Sequence, residues 1–411
     1  MVEAAMAREV TGVVPAHVPP ELVFSSDFFS GPGFAADPFS ATRWHRTGQA
    51  PRVFFTPHHY MMPGSWVITR AEDMRAIMQN PEFFSSRDQI SFSALVNETW
   101  DMIPLETDPP QHAAYRALLN PLFSPKEIKR LEDGLAEAAA QLVEKFKNAG
   151  EVEFTLAFAL PFPVTVFLQL LDLPRDEMAT FIAWEDGLIR SFSLEKRKAS
   201  ARQIVDYLRA AIATRRNGHG QDMISIATRF AIEGRLLSDD EIVGICFLLY
   251  VAGLDTVAMS MAFQFHHLAT DLELQAKLRA DRSLIPNAIE EFLRLYSIVQ
   301  AHRRVAKDIE FAGVQMKAGD CITLPCSNAS RDPREFPDAD TFSLERGDNR
   351  HVAFSYGMHR CIGSHLARRE LVLAMNTWFD QVPLFRLKPG APYRTNGGGV
   401  YGVEELHLTW R

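Results

Sequence analysis

Apolar positions recur at helical spacing through most of the chain. The clearest run is 126–148, where Ile128, Leu131, Leu135, Ala138, Leu142 and Phe146 line one face. The same period predicts helices over 71–79, 156–171, 177–191, 198–215, 285–296 and 366–378, and another from Pro109-Pro110 to about Leu119. Alternation is rarer. Residues 52–56 and 66–69 read as short strands turning through Pro63-Gly64. Residues 308–324 alternate around Gly313 and Ala318-Gly319, as a small hairpin would, and turn and strand signals return from Pro383. Between Phe83 and Leu105 the periodicity is poor, which predicts a mobile loop. Residues 1–40, punctuated by Pro and Phe, read as a surface arm. The sum is a mainly α fold with small β-sheets. No internal repeat and no Pro/Gly/Ser linker divides it, so 1–411 is expected to form one large domain that includes the arm.

Ser238-Asp-Asp-Glu241 has the form of a capping box. The helix it opens can run to about Thr270, a length of about 48 Å at 1.5 Å per residue. Residues 242–263 are apolar apart from Asp255, Thr256 and Ser260. An aspartate in mid-span costs roughly 2.5–3.5 kcal/mol on insertion into a bilayer. The apolar run before it, 242–254, has 13 residues, fewer than a spanning helix needs. A buried core helix is the expectation, with no membrane partner.

Composition changes this picture little: 47% apolar and 23% charged residues are ordinary for a globular protein. The net charge of −8 argues against a nucleic-acid partner, which would call for a basic footprint. Residues 1–20 lack a basic region followed by an apolar segment, so no secretory leader is expected. Cys246, Cys321, Cys326 and Cys361 form neither a zinc-type pair nor a disulfide framework. A cytoplasmic, reducing setting follows.

Cys361 stands apart from the other three. It ends a short turn containing Gly357, is followed by Gly363, and precedes the 366–378 helix. Backbone N–H groups in such a turn and at a helix start favour an ionised sulfur. The glycines allow close approach to a large flat ligand. A lone cysteine is most often a small buried hydrophobe. Here, however, Phe354, Gly357, His359, Cys361 and Gly363 together match the haem-binding loop of the cytochrome P-450 monooxygenases, five positions within ten residues. The chain resembles that family, whose cysteine thiolate is the axial ligand of haem iron.

The resemblance implies the rest of a haem monooxygenase: a single P-450-type fold and haem b (iron protoporphyrin IX) on Cys361. Phe354 and Gly363 belong to the loop. His112, Arg116, Arg303 and His359 match positions that bind the haem propionates, with Arg304 beside Arg303 as the alternative. Ala252-Gly253-Leu254-Asp255-Thr256 resembles the oxygen-activating segment, in which Asp255 and Thr256 relay protons. Read without the resemblance, it is a helix-packing notch followed by a polar pair. Glu291 and Arg294 share a helix face, and in the family such a pair joins a downstream arginine, here Arg346, to brace the cysteine loop.

Stretches 100–110, 249–256 and 365–370 most resemble the bacterial camphor-hydroxylase branch. Trp100 replaces a tyrosine whose hydroxyl holds the substrate ketone there, and tryptophan can only donate. Camphor is therefore a poorer expectation than a terpenoid or norisoprenoid such as an ionone. The substrate is expected to be small and apolar, against Trp100, Met102, Leu105, Leu248, Val251, Ala252, Val299 and Val400. No flavin or nicotinamide fingerprint appears, so a 2Fe–2S ferredoxin with its ferredoxin reductase is the implied electron source, docking near Arg116 and Arg360. Two rivals share the cysteine. A peroxide-driven peroxygenase would not need Asp255 and Thr256, and a non-enzymatic haem sensor usually carries an output domain.

Overall fold

The computed structural model describes residues 14–24, 32–57, 64–88, 92–191, 193–347 and 349–411. About 53% of it is helical, with small sheets. The chain divides into two compact units, each built from several separate stretches.

The first unit comprises 1–89, 262–361 and 386–407. Its sheet has five strands in the order Val53–Thr56, Ser65–Ile68, Cys321–Pro325, Gln300–Val305 and Phe84–Ser85. Only the Ser65–Ile68 to Cys321–Pro325 pairing is parallel. The two strands expected over 52–69 are thus present, although Pro63 lies outside the described residues. Two readings need correction. The hairpin expected over 308–324 closes already at Ile309–Phe311 and Val314–Met316. Cys321–Pro325 leaves it because five successive buried residues suit a strand covered on both faces. Residues 83–105, read as aperiodic, contain the strand Phe84–Ser85 and a 3-10 turn, Ser93–Val96. Two-residue pairing is too short to leave a periodic trace in the sequence.

Beneath the sheet, Trp66, Ile68, Met74, Ile77, Ile322 and Leu324 form one apolar core. Beside it runs a buried ionic knot. Glu291 and Arg294, on the helix Ile285–Leu295, are 1% and 0% exposed. Arg294 grips Glu291 through Nε and Nη2, both at 2.8 Å, and Arg346 Nε adds a bond at 2.9 Å. The Ser343 N–H and Asn349 Nδ2 complete the carboxylate's shell at 3.0 and 3.1 Å. Arg294 Nη1 donates in turn to the carbonyls of Ser330 and Ala339.

The second unit comprises 90–261, 362–385 and 408–411. Its helices are those the period predicts, with shifted ends: Gln111–Leu122, Pro125–Glu144, Pro161–Leu170, Met178–Glu185, Leu194–Arg215 and Ser364–Gln381. Pro125–Glu144 packs along Ser364–Gln381, and Trp378 is boxed by Phe146, Phe154, Phe158 and Trp410. Two helices carry π-helical turns, Thr155–Ala159 and Asp186–Arg190. The long helix runs Asp239–Thr270, 32 residues. Its capping box is formed: the Glu241 N–H donates to Ser238 Oγ at 3.2 Å, and the Ser238 N–H donates to Glu241 at 2.8 Å. It is the one described helix long and apolar enough to cross a membrane, yet 67% of its apolar window is buried inside the protein.

Removing Arg294 would strand a buried carboxylate. Arg294→Leu is expected to cost about 3–5 kcal/mol, read as a lower midpoint in urea unfolding. An unchanged midpoint would mean the knot contributes nothing to stability.

Candidate active site

The loop that carries Cys361 is closed by its own backbone. The Cys361 N–H donates to the Phe354 carbonyl at 2.9 Å, and the Ser355 N–H to Val352 at 2.9 Å. Between them lies the 3-10 turn Gly357–His359. Gly357 has φ +71, and a Cβ there would stand 2.8 Å from the Met78 carbonyl oxygen. No other residue fits both conditions. The loop hangs from the ionic knot: Asn349 bonds Glu291, and the Val352 N–H donates to Ser330 Oγ at 3.1 Å. Phe354 packs against His351. Cys246, Cys321 and Cys326 are buried, and burial pushes the Cys246 thiol up to about 12 and Cys326 up to about 11. Cys361 is exposed.

In the second unit, Leu248, Ala252 and Thr256 recur every fourth residue along the long helix, on one face. Ala252 and Gly253 are exposed among buried and half-buried neighbours, and open space surrounds Gly253. Thr256 Oγ1 donates to the Ala252 carbonyl at 2.7 Å. The helix nevertheless continues without a break, so the distortion that this hydroxyl invites stays local. Asp255 is 6% exposed and accepts a hydrogen bond from Arg190 Nη2. Nothing in the sequence pointed to Arg190. It lies 65 positions away on a π-helical turn that periodicity does not register.

The other expected site residues divide between the units. His112 and Arg116 sit one turn apart on Gln111–Leu122, His112 buried and Arg116 half-buried. Arg303 lies buried in the strand Gln300–Val305, where Arg304 faces the other way. Arg304 donates to the carbonyls of Asp88 and Gly319 and to Cys321 Sγ, which leaves Arg303 as the better propionate candidate. His359 is half-buried in the cysteine loop. Val299 and Val400 face each other across an isolated antiparallel bridge.

Trp100, Met102, Leu105, Leu248, Val251 and Ala252 belong to the second unit. Trp100 packs on Phe247 with ring centroids 4.8 Å apart and the rings tilted by 51°, and its indole N–H donates to Glu98 at 2.8 Å. That indole donor is therefore engaged inside the protein. Glu98 also accepts from Arg202 and Arg209, at 2.8 and 2.7 Å. Burial raises its pKa, but the bonds from Arg209, Arg202 and Trp100 outweigh burial and hold it below the usual carboxylate range. The segment 101–103 presses against the long helix, where a Cβ on Gly244 would lie 2.0 Å from the Asp101 carbonyl oxygen.

A separate cleft of about 410 Å³ in the first unit is lined by Arg43, Arg46, Arg331 and Asp340 among aromatic rings. Asp340 bonds Arg46 and lies 3.3 Å from Arg43 and 3.5 Å from Arg331, so these charges pair with one another.

The comparison with known sequences decides the family. A model described as cytochrome P-450 matches residues 188–389. The probable cytochrome P-450 127A1 of Sinorhizobium fredii is 41% identical over 410 residues, covering 98% of each chain. This chain belongs to the cytochrome P-450 family. Among solved P-450 structures, that of CYP101J2 superposes with a TM-score of 0.87 at 34% identity, covering 97% of this chain and 100% of the other. CYP101C1 gives the same score and coverage at 29% identity. The protein is thus a haem-thiolate oxidoreductase of the monooxygenase type, as P-450 proteins bind haem b through a cysteine thiolate. Its residues fit that group. Cys361 is the exposed thiol on a glycine-shaped loop. The open space at Gly253 suits a flat apolar surface, and His112 in one unit and Arg303 and His359 in the other carry nitrogen donors of the kind a propionate accepts.

Because Glu98 has a depressed pKa in this P-450, its ion pairs contribute stability fully above the ordinary value of 4.5 and lose it as pH falls through the depressed value. The unfolding midpoint of the wild type should exceed that of Glu98→Gln at neutral pH and converge on it in acid. A difference that persisted unchanged into acid would remove the charge from this account.

Proposed function

We propose that this P-450 hydroxylates C–H bonds of a small apolar substrate, using dioxygen and electrons from a 2Fe–2S ferredoxin and its reductase. It would act as a single-domain cytoplasmic protein. Cys361 is the thiolate ligand, on a loop completed by Phe354 and Gly363, and His112, Arg116, Arg303 and His359 hold the propionates. The observation that carries the reading is the contrast among the four thiols: three are buried with raised pKa values, and only Cys361 is presented on a backbone-locked loop.

Haem supplies oxygen activation and the oxidising power for C–H cleavage when it is bound. The chain's own residues do the remainder. Thr256 holds its hydroxyl on the helix through the Ala252 carbonyl, and Asp255, one residue earlier, carries a carboxylate anchored by Arg190. Together they deliver protons, a role that a peroxide-driven enzyme would not require. Trp100, Met102, Leu105, Leu248, Val251, Ala252, Val299 and Val400 shape the substrate's surroundings and keep water out. With the Trp100 N–H given to Glu98, apolar shape selects the substrate more than a hydrogen bond does. A terpenoid or norisoprenoid such as an ionone suits this wall better than camphor. Arg116 and Arg360 offer cationic contacts to an acidic electron carrier.

Reduced protein under carbon monoxide should show the Soret band of a thiolate ligand, and Cys361→Ser should abolish it. An unaltered band in Cys361→Ser would end the assignment. Thr256→Ala should lower product formed per dioxygen by about tenfold or more. A full spin-state shift with camphor and none with ionones would reverse the substrate order.

A further inference from the structure

Glu185 closes the helix Met178–Glu185 and is 1% exposed. Neither of its carboxyl oxygens has a hydrogen-bond partner. The next five residues, Asp186–Arg190, form the π-helical turn. In an ordinary α-helix, residues five apart point about 140° away from each other. The wider winding of a π-turn narrows that angle and brings residue 190 closer to the side of residue 185. Arg190 is thereby directed to the side of the helix that holds Glu185, and it is Arg190 that bonds Asp255. The turn is pinned from the next helix, Leu194–Arg215: Arg197 Nε donates to the Leu188 carbonyl at 3.1 Å, and Ser200 presses on Gly187. Below it, Tyr250 on the long helix donates to the Phe181 carbonyl at 2.6 Å. One guanidinium is thus shared by two carboxyls, of which one is bonded and the other buried bare.

We propose that Glu185 is the proton-holding residue behind Asp255, a positioning residue that returns a proton to Asp255 after each delivery. This rests on the proton-relay reading of Asp255 and Thr256. The step is a transfer between two acids. The O–H bond of Glu185 breaks and an O–H bond forms on Asp255, while Arg190 remains charged and neutralises whichever carboxylate results. Total charge is unchanged, so the exchange carries no net desolvation of a new ion. Glu185 then regains its proton from the side of Asp186, which is exposed. Burial first, and the Asp255 charge next, raise the Glu185 pKa to about 8; Arg190 opposes this and Asp186 adds to it. The carboxyl is accordingly protonated at neutral pH. The Tyr250 phenol, also raised by burial and by Glu185, stays neutral. On Leu194–Arg215, Tyr207 is paired with Glu177 and does not compete.

The test uses the haem-loaded enzyme and two readouts. In the first, the carbonyl stretch of a buried protonated acid is followed by infrared difference spectroscopy against pH. It should titrate near 8, vanish in Glu185→Gln, and titrate lower in Asp255→Asn, which removes a repelling charge. In the second, product formed per dioxygen should fall as pH rises through 8 in the wild type. In Glu185→Gln it should be about tenfold lower at neutral pH and flat across that window. An infrared band unmoved by Asp255→Asn, or a Glu185→Gln variant with the wild-type pH profile, would overturn the proposal. If Asp255→Asn and Thr256→Ala also left product per dioxygen unchanged, the relay reading itself would fall. Glu185→Gln keeps the volume, and a loss of folded protein would show as a lower thermal midpoint.

Discussion

A carboxylate buried without water is tolerated only when every lone pair is met, and Glu291 meets that condition with donors from Arg294, Arg346, Ser343 and Asn349. The residues it gathers, from 343 to 349, lead directly into the cysteine loop. Arg294 extends the same knot to Ser330, whose hydroxyl receives the Val352 N–H. The position of one sulfur therefore descends from one buried ion cluster through three links of hydrogen bonding. Propensity alone would not hold that loop, which contains Ser355 at φ +61 and Gly357 at φ +71. Ser355 carries backbone strain that the surrounding bonds must overcome, whereas glycine takes the Gly357 conformation without it.

The second unit solves a different problem, that of placing charge inside an apolar helix. The long helix is hydrophobic on almost every side, so its stability comes from burial, and Asp255 is an exception that needs a counter-ion. Arg190 supplies it from a π-helical turn, and Glu185 adds a second acid with no ion of its own. A helix with an extra residue in one turn is locally less favourable than an α-helix. Gly187, close to Ser200, and the bond from Arg197 to Leu188 keep that turn in place. Structure is again traded for the placement of a single charged side chain.

Much of this was legible in the residues themselves. The long helix announced its start through Ser238 and Glu241, and its bounds agree with the reading. Five motif positions identified the cysteine loop, because such a loop depends on local geometry that only certain residues permit. The Glu291–Arg294 pair was visible at i, i+3, and its third member at Arg346 followed from the family resemblance. What stayed hidden were partners brought together by folding. Arg190 carries no mark that ties it to Asp255, and Trp100 none that ties it to Glu98, since both are single bonds formed after the chain has packed. Strand Phe84–Ser85 escaped because two residues have no period, and Cys321–Pro325 because a doubly covered strand does not alternate.

The contact at Gly244 has a bearing on how this enzyme could diversify. The main chain at Asp101 lies so close to the long helix that even one methyl group cannot enter between them. Backbone movement of the 101–103 segment toward the helix is thereby closed off. Change along this segment is left to its side chains, Trp100, Met102 and Leu105 among them, on a floor that stays where it is.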